Sequence, residues 1–397
     1  MGDDDELSTP PLAGVGLVAA RRVAAPLRTL AAGDLDRSLA SGAAGLAVCF
    51  AHLGAATGDA RDLQAAERYL GIAVEQVAAD PLGGGIGLFA GLTGVAWAEL
   101  EVGRLLFVGV EPDDDLDALL AQALDRPAWP GPWDLVSGLV GIGVYALARP
   151  PTAAPDLVAG VVRALTPILR AGAWSTDSAL TFGPHADPRL DHHVDLGLAH
   201  GIPGALALLA AAAGRGCAEA RRALPEGTGR LLGHQFDAGG FPAVAWAGLA
   251  PRPSRLAWCY GDLAVAWALY AAGHALGDSA ILAAGERALA AATARQPGRS
   301  GVVDAGLCHG TSGVALLFHR LASVYGDAAS AAALWAGRLL DEVAADRLPT
   351  EPGLLEGRAG VVLALLALAG QDSGWDAALL MRNFQGVQDR VNALPPG

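Results

Sequence analysis

Residues 357–368 read Gly357-Arg358-Ala359-Gly360-Val361-Val362-Leu363-Ala364-Leu365-Leu366-Ala367-Leu368. A Gly-x-x-Gly pair opens the stretch, and an unbroken apolar run follows. A helix that is apolar all round has to be buried all round. Glycines at its start permit a tight turn and close backbone approach.

The same pattern recurs up the chain, at Gly310/Gly313, Gly201/Gly204, Gly138/Gly141, Gly91/Gly94 and Gly42/Gly45. Gly261 opens a degenerate copy, with Ala264 in place of the second glycine. From Gly42 to Gly357 the first glycines are 49, 47, 63, 60, 49 and 47 residues apart. A period near 48 accommodates two helices and two loops. The two longer intervals read as loop extensions, around 172–198 and 233–257, and not as a further domain.

Between the apolar runs lie amphipathic segments such as Asp62-Leu63-Gln64-Ala65-Ala66-Glu67-Arg68-Tyr69-Leu70. Apolar helices should therefore form an inner ring and amphipathic helices an outer one. An open solenoid needs polar terminal repeats, and the last unit here is as apolar as the middle ones. The pattern predicts an all-α fold: a double-layered α/α toroid of seven helical hairpins. An open helical rod is the competing reading of the same repeat. The toroid would occupy residues 11–397 as a single domain, after a disordered acidic tail over residues 1–10.

Hydrophobic residues make up 52% of the chain and charged ones 17%, with a net charge of -14. That leaves ample material for a core and no basic face for nucleic acid. The acidic start, Met1-Gly2-Asp3-Asp4-Asp5-Glu6, is the reverse of a secretory signal, so a cytoplasmic protein is expected. Leu196–Gly214 is almost wholly apolar. Its helix should start near Pro203, too late to leave a membrane span, so no membrane insertion is expected. The four cysteines, Cys49, Cys217, Cys259 and Cys308, do not suggest a disulfide scaffold.

In a ring, the loops before the inner helices converge at one end. Most carry only small residues. The fifth reads Trp258-Cys259-Tyr260-Gly261-Asp262, and the sixth Leu307-Cys308-His309-Gly310. Each cysteine stands two residues before its glycine, so neighbouring repeats present two thiols and His309 to one spot. Zinc accepts such a set and keeps a fourth position open, the mark of a catalytic site. The alternative is that Cys259 and Cys308 are small buried hydrophobes, the reading kept for Cys49 and Cys217.

His200, in Gly197-Leu198-Ala199-His200-Gly201, holds the place that His309 holds in its own loop. It suits proton transfer near neutral pH; the alternative is a capping histidine. Asp134 reads as a proton acceptor, an orienter of His200 or a plain N-cap. Arg255 reads as an anion holder or a surface arginine. His192 and His193, beside Asp191 and Asp195, read as a solvated loop rather than a lining of the mouth. Gly85-Ile86-Gly87-Leu88-Phe89-Ala90 follows no strand and is no dinucleotide motif.

Leu196–Gly204, Ala257–Asp262, Leu307–Gly310 and Leu355–Gly360 together resemble the lanthionine synthetase C-like family, in order and over residues 40 to 370. The resemblance implies a helical toroid carrying one Zn2+ per chain on Cys259, Cys308 and His309. It implies His200 and Asp134 as acid/base residues, with Arg255 and Tyr260 beside them. Bacterial members are cyclases. They add precursor-peptide cysteine thiols to dehydroalanine or dehydrobutyrine, made beforehand by a partner dehydratase, and so form thioether rings. The resemblance is to the stand-alone type. Ala264 departs from the family pattern, which bears on packing more than on ligation. Two other classes compete: a non-catalytic zinc-containing peptide- or thiol-binding scaffold, and a glycosidase, which would want two opposed carboxylates.

Overall fold

The computed structural model describes residues 12–106, 114–150, 155–170, 175–177, 192–371 and 374–382. In chain order its helices are α1 (Gly16–Ala24), α2 (Ala43–Thr57), α3 (Ala60–Ala79), α4 (Leu92–Leu106) and α5 (Asp114–Leu124). Next come α6 (Leu139–Ala148), α7 (Pro155–Arg170), α8 (Ile202–Gly214), α9 (Ala218–Leu232) and α10 (Asp262–Leu276). The last are α11 (Ser279–Thr293), α12 (Thr311–Ala322), α13 (Ala329–Ala344) and α14 (Arg358–Leu368).

The even-numbered helices are the inner ring. Each starts at the residue after the first glycine of its pair. From α2 through α14 each packs on the next, and α14 packs on α2. The toroid is therefore closed, and the open rod is excluded. Inner helices are buried on every side, as Ala359–Leu368 of α14 show. Outer helices bury one stripe; on α3 it runs through Asp62, Ala65, Ala66, Tyr69 and Ala73, the spacing of a single helix face.

The seventh hairpin is not contiguous. Among the described residues, the outer partner of α14 is α1, from the other end of the chain. The Leu12 N–H donates to the Leu368 carbonyl (2.9 Å). Both ends of the sequence thus build one repeat, and the ring is locked where it meets itself. The acidic tail expected over residues 1–10 lies outside the described residues.

The loops ahead of the inner helices are bonded into a second, smaller ring. In each loop, the residue two before the first glycine offers its carbonyl to the preceding loop. Ala40 N–H donates to Phe89 (2.9 Å), Phe89 to Val136 (3.1 Å), Leu135 to Ala199 (3.1 Å) and Leu198 to Cys259 (2.8 Å). Cys259 then donates to Cys308 (3.1 Å), Cys308 to Leu355 (2.7 Å), and Leu355 back to Ala40 (2.9 Å). Seven loops form one head-to-tail belt.

Second glycines let the belt approach the helices. A Cβ at Gly45, Gly94, Gly141, Gly204, Gly313 or Gly360 would collide with the carbonyl six residues earlier. Loop 5 has Ala264 there and solves the crowding at its first glycine. Gly261 has φ +126°, whereas Gly42, Gly138, Gly201, Gly310 and Gly357 lie between −102° and −129°. Only glycine adopts that conformation readily.

Two features depart from the sequence reading. The long intervals are more than loops. They supply β1 (Ser175–Asp177), β2 (His192–Asp195) and β3 (Val244–Ala245), a small antiparallel sheet in the order β1-β2-β3. Such short strands carry too little alternation to be read from sequence. Secondly, residues 374–382 reach the middle of the ring. The Trp258 indole donates to the Leu379 carbonyl (3.1 Å) and that of Trp267 to Leu380 (2.6 Å). Phe89 of loop 2 meets Trp258 of loop 5 edge-on at 6.1 Å between centroids, which floors the basin above. Among the described residues, no helix is long and apolar enough to cross a membrane.

Candidate active site

Three register positions of the loops, counted back from the first glycine, build the site. The second position is the belt residue. Its carbonyl is fixed by the neighbouring loop, so its side chain takes the same aim in every repeat. In loops 5 and 6 that residue is cysteine, and Cys259 and Cys308 come together. The first position holds His200, Tyr260 and His309 in loops 4, 5 and 6. The sixth holds Asp195, Arg255 and Asp304 in the same loops.

The donor atoms of Cys259, Cys308 and His309 all lie within 4.8 Å of one another, with Cys259 buried and the others half-buried. Tetrahedral zinc with sulfur and imidazole ligands sets its donors roughly 3.5–3.8 Å apart. A small closure of the side chains brings this set to that spacing, so two thiols and an imidazole fit the ion. Arg255 Nη2 lies 4.0 Å from the Cys259 sulfur. On the outer side of His309, Asp304 Oδ2 is 3.5 Å from Nε2 and Glu356 Oε1 is 3.8 Å from Nδ1.

The electrostatics suit metal loading. The Cys308 thiol beside it lowers the Cys259 pKa well below the usual value; burial opposes this, and His309 and Arg255 assist. Cys308 is raised, first by its hydrogen bond with Cys259 and then by burial. Contact with Cys259 raises His309 against its own burial. Metal ligation needs both cysteines as thiolates, so loading an ion releases protons from the site. Cys49, inside α2, is raised far above the ordinary thiol range by burial.

His200 and Asp134 meet across adjacent loops, with Nδ1 2.6 Å from Asp134 Oδ2. The other oxygen of Asp134 accepts the Ser137 N–H (2.7 Å), so Asp134 caps its loop and orients His200 at once. Burial works to lower the His200 pKa, but the Asp134 hydrogen bond and the charges of Asp134, Asp195 and Cys259 outweigh it, and the net shift is upward. Tyr260 joins the site with its ring, 6.4 Å from that of His200, while its hydroxyl donates to Asp195 Oδ2 (2.8 Å).

The sequence profile of the lanthionine synthetase C-like proteins matches residues 33–380. The chain belongs to the lanthionine synthetase C-like family. Among solved structures, nisin cyclase is similar to it with a TM-score of 0.75 and 20% sequence identity, over 92% of this chain and 96% of that one. That likeness shows the fold. No curated protein sequence matches the chain at a significant level. The family and the fold agree with the enzyme class that the sequence pointed to, a lanthionine cyclase.

Sequence reasoning about this family member missed Asp304 and the role of Asp195. The signal was present in the register, because Asp36, Asp195 and Asp304 all stand six before a glycine. Each accepts the N–H two residues on, from Ser38, Gly197 and Gly306 respectively. The solvated-loop reading of His193 is corrected. It is buried, paired with Thr176 across the sheet, and 3.2 Å from Asp195 Oδ2. His192 is exposed, and Asp191 lies outside the described residues.

Proposed function

We propose that this family member is a zinc-dependent lanthipeptide cyclase. It joins the cysteine thiol of a precursor peptide to a dehydroalanine or dehydrobutyrine of the same peptide. The observation that carries the reading is the three-donor group of Cys259, Cys308 and His309 beside the His200–Asp134 pair on neighbouring loops of one rim. A binding scaffold needs the first and has no use for the second.

Cys259, Cys308 and His309 would hold one zinc ion and leave its fourth position to the substrate. Bound there, zinc supplies a Lewis acid that lowers the pKa of the substrate thiol. Arg255 lies close enough to Cys259 to balance part of the negative charge gathered at the site. In the addition, sulfur forms a bond to the β-carbon and the C=C π pair moves to the α-carbon side. The resulting enolate takes a proton at the α-carbon. His200 delivers it. Asp134 engages Nδ1, which leaves Nε2 for the substrate, and the same carboxylate favours the protonated, donating form of the ring. The thiol proton leaves through the same pair or to water, so the product is an isomer of the substrate. Holding both peptide ends over the basin contributes the proximity effect.

The substrate is thus a peptide already dehydrated by a partner enzyme. The test uses zinc-loaded protein and a synthetic peptide with one cysteine and one dehydroalanine. Loss of the free thiol at constant peptide mass supports the reading. An unchanged thiol, with zinc bound and the peptide intact, refutes it.

A further inference from the structure

The two long intervals of the repeat add a sheet that the ring itself does not need. We propose that this sheet is a positioning device. His193 and Asp195 of β2 clamp Tyr260, so that it serves as a wall of the basin and not as a proton donor. The inference rests on the cyclase reading for its kinetic consequences and on geometry alone for the clamp.

Asp195 is fully buried. Its Oδ1 accepts the Gly197 N–H (2.9 Å), and its Oδ2 accepts the Tyr260 hydroxyl (2.8 Å) while lying 3.2 Å from His193 Nε2. His193 and Asp195 are two residues apart on a strand and share a face. Both are fixed at the backbone: His193 pairs with Thr176 of β1, and Asp195 with Val244 of β3. The His193 ring lies against Trp246, just past β3, at 5.9 Å between centroids. The tyrosine ring lies close against Gly197, where a Cβ would come within 2.5 Å of its Cε1.

A phenol has one proton to give, and an ionised carboxylate only accepts. The Tyr260 hydroxyl therefore spends its proton on Asp195. What remains for the substrate is the ring, held beside the imidazole that delivers the proton. This gives His193 and Asp195 a task, and gives the two irregular spacings a common purpose. Asp195 and His193 are positioning residues.

The experiment uses full-length, zinc-loaded protein with fluorotyrosine incorporated. The chain has five tyrosines, and the fluorine resonance absent from Tyr260→Phe identifies Tyr260. In Asp195→Asn one oxygen becomes an NH2 donor, which cannot accept the tyrosine proton. The Tyr260 line is expected to shift, with zinc affinity unchanged within about two-fold by chelator competition. Turnover of the synthetic dehydropeptide is expected to fall about ten-fold at little-changed KM. Tyr260→Phe, which keeps the ring, should cost far less than His200→Ala. An unmoved Tyr260 line in Asp195→Asn would overturn the clamp. So would a Tyr260→Phe enzyme as impaired as His200→Ala. An inactive wild type would remove the cyclase reading and leave the fluorine line to decide the clamp by itself.

Discussion

In loops 1 and 2 the belt residues are Ala40 and Phe89; in loops 5 and 6 they are Cys259 and Cys308. All four carbonyls accept the same kind of bond from the preceding loop. Two of the side chains pack, and two converge in a group that could hold a metal ion. The comparison separates aim from chemistry. Aim comes from a backbone that repeats seven times, and chemistry from which residue occupies the repeated position. Function here is grafted onto a frame that was already pointing the right way.

Cysteine loss should break the comparison most sharply. Cys308→Ala leaves every belt hydrogen bond in place and removes one donor of three. Metal content should fall from one ion per chain to near zero, and cyclisation should drop more than about 1000-fold, while the far-UV helix signal holds. Elemental analysis beside circular dichroism checks this. His200→Ala, two loops earlier, should keep its zinc and lose about 100- to 10,000-fold in turnover, read as thiol consumption.

Asp134→Asn comes next, and its effect depends on pH. The raised His200 pKa means that the proton-donating form persists above the ordinary histidine range. Activity should fall as pH rises through that raised value. Without the carboxylate, the alkaline limb of the rate profile should move to lower pH. An unmoved limb would assign it to another group. The same pairing stabilises the fold fully below the unfolded histidine pKa, and that contribution fades as pH rises through the folded one.

On the packing half of the rim, Phe89→Ala should destabilise the fold by about 3–5 kcal/mol in denaturant titrations and leave zinc stoichiometry alone. The smallest effect belongs to Cys217→Ser at the start of α9. Stability should change by less than about 0.5 kcal/mol, with zinc and turnover as in the parent. A loss of zinc in that variant would mean that the donor set is drawn wrongly.

The ring and its register were legible because they rest on repetition. Gly-x-x-Gly marked six of the seven inner helices and Gly261 the degenerate fifth, and the shared offset of Cys259 and Cys308 pointed to the convergence of their thiols. Single events were not legible. β2 joins strands from two different intervals, and no local pattern announces a partner some fifty residues away. Phe89 and Trp258 meet because a closed ring brings loop 2 opposite loop 5. The covering of α14 by α1 is equally a product of closure. Asp195 looked like one more acid in a polar loop because its worth lies in Tyr260, a residue of the next repeat.

The belt also has a consequence in time. Its last bond joins Leu355 to Ala40, so during synthesis the first hairpin waits for a neighbour made roughly 300 residues later. A half-made chain can bring Cys259 and Cys308 together once both have left the ribosome, yet its two raw edges stay exposed until α14 appears and α1 swings onto it. Leu379 and Leu380, made after α14, then fasten the two indoles. Such late, long-range closure is slow. Chains that stall before α14 should be the ones that associate with each other, edge to edge.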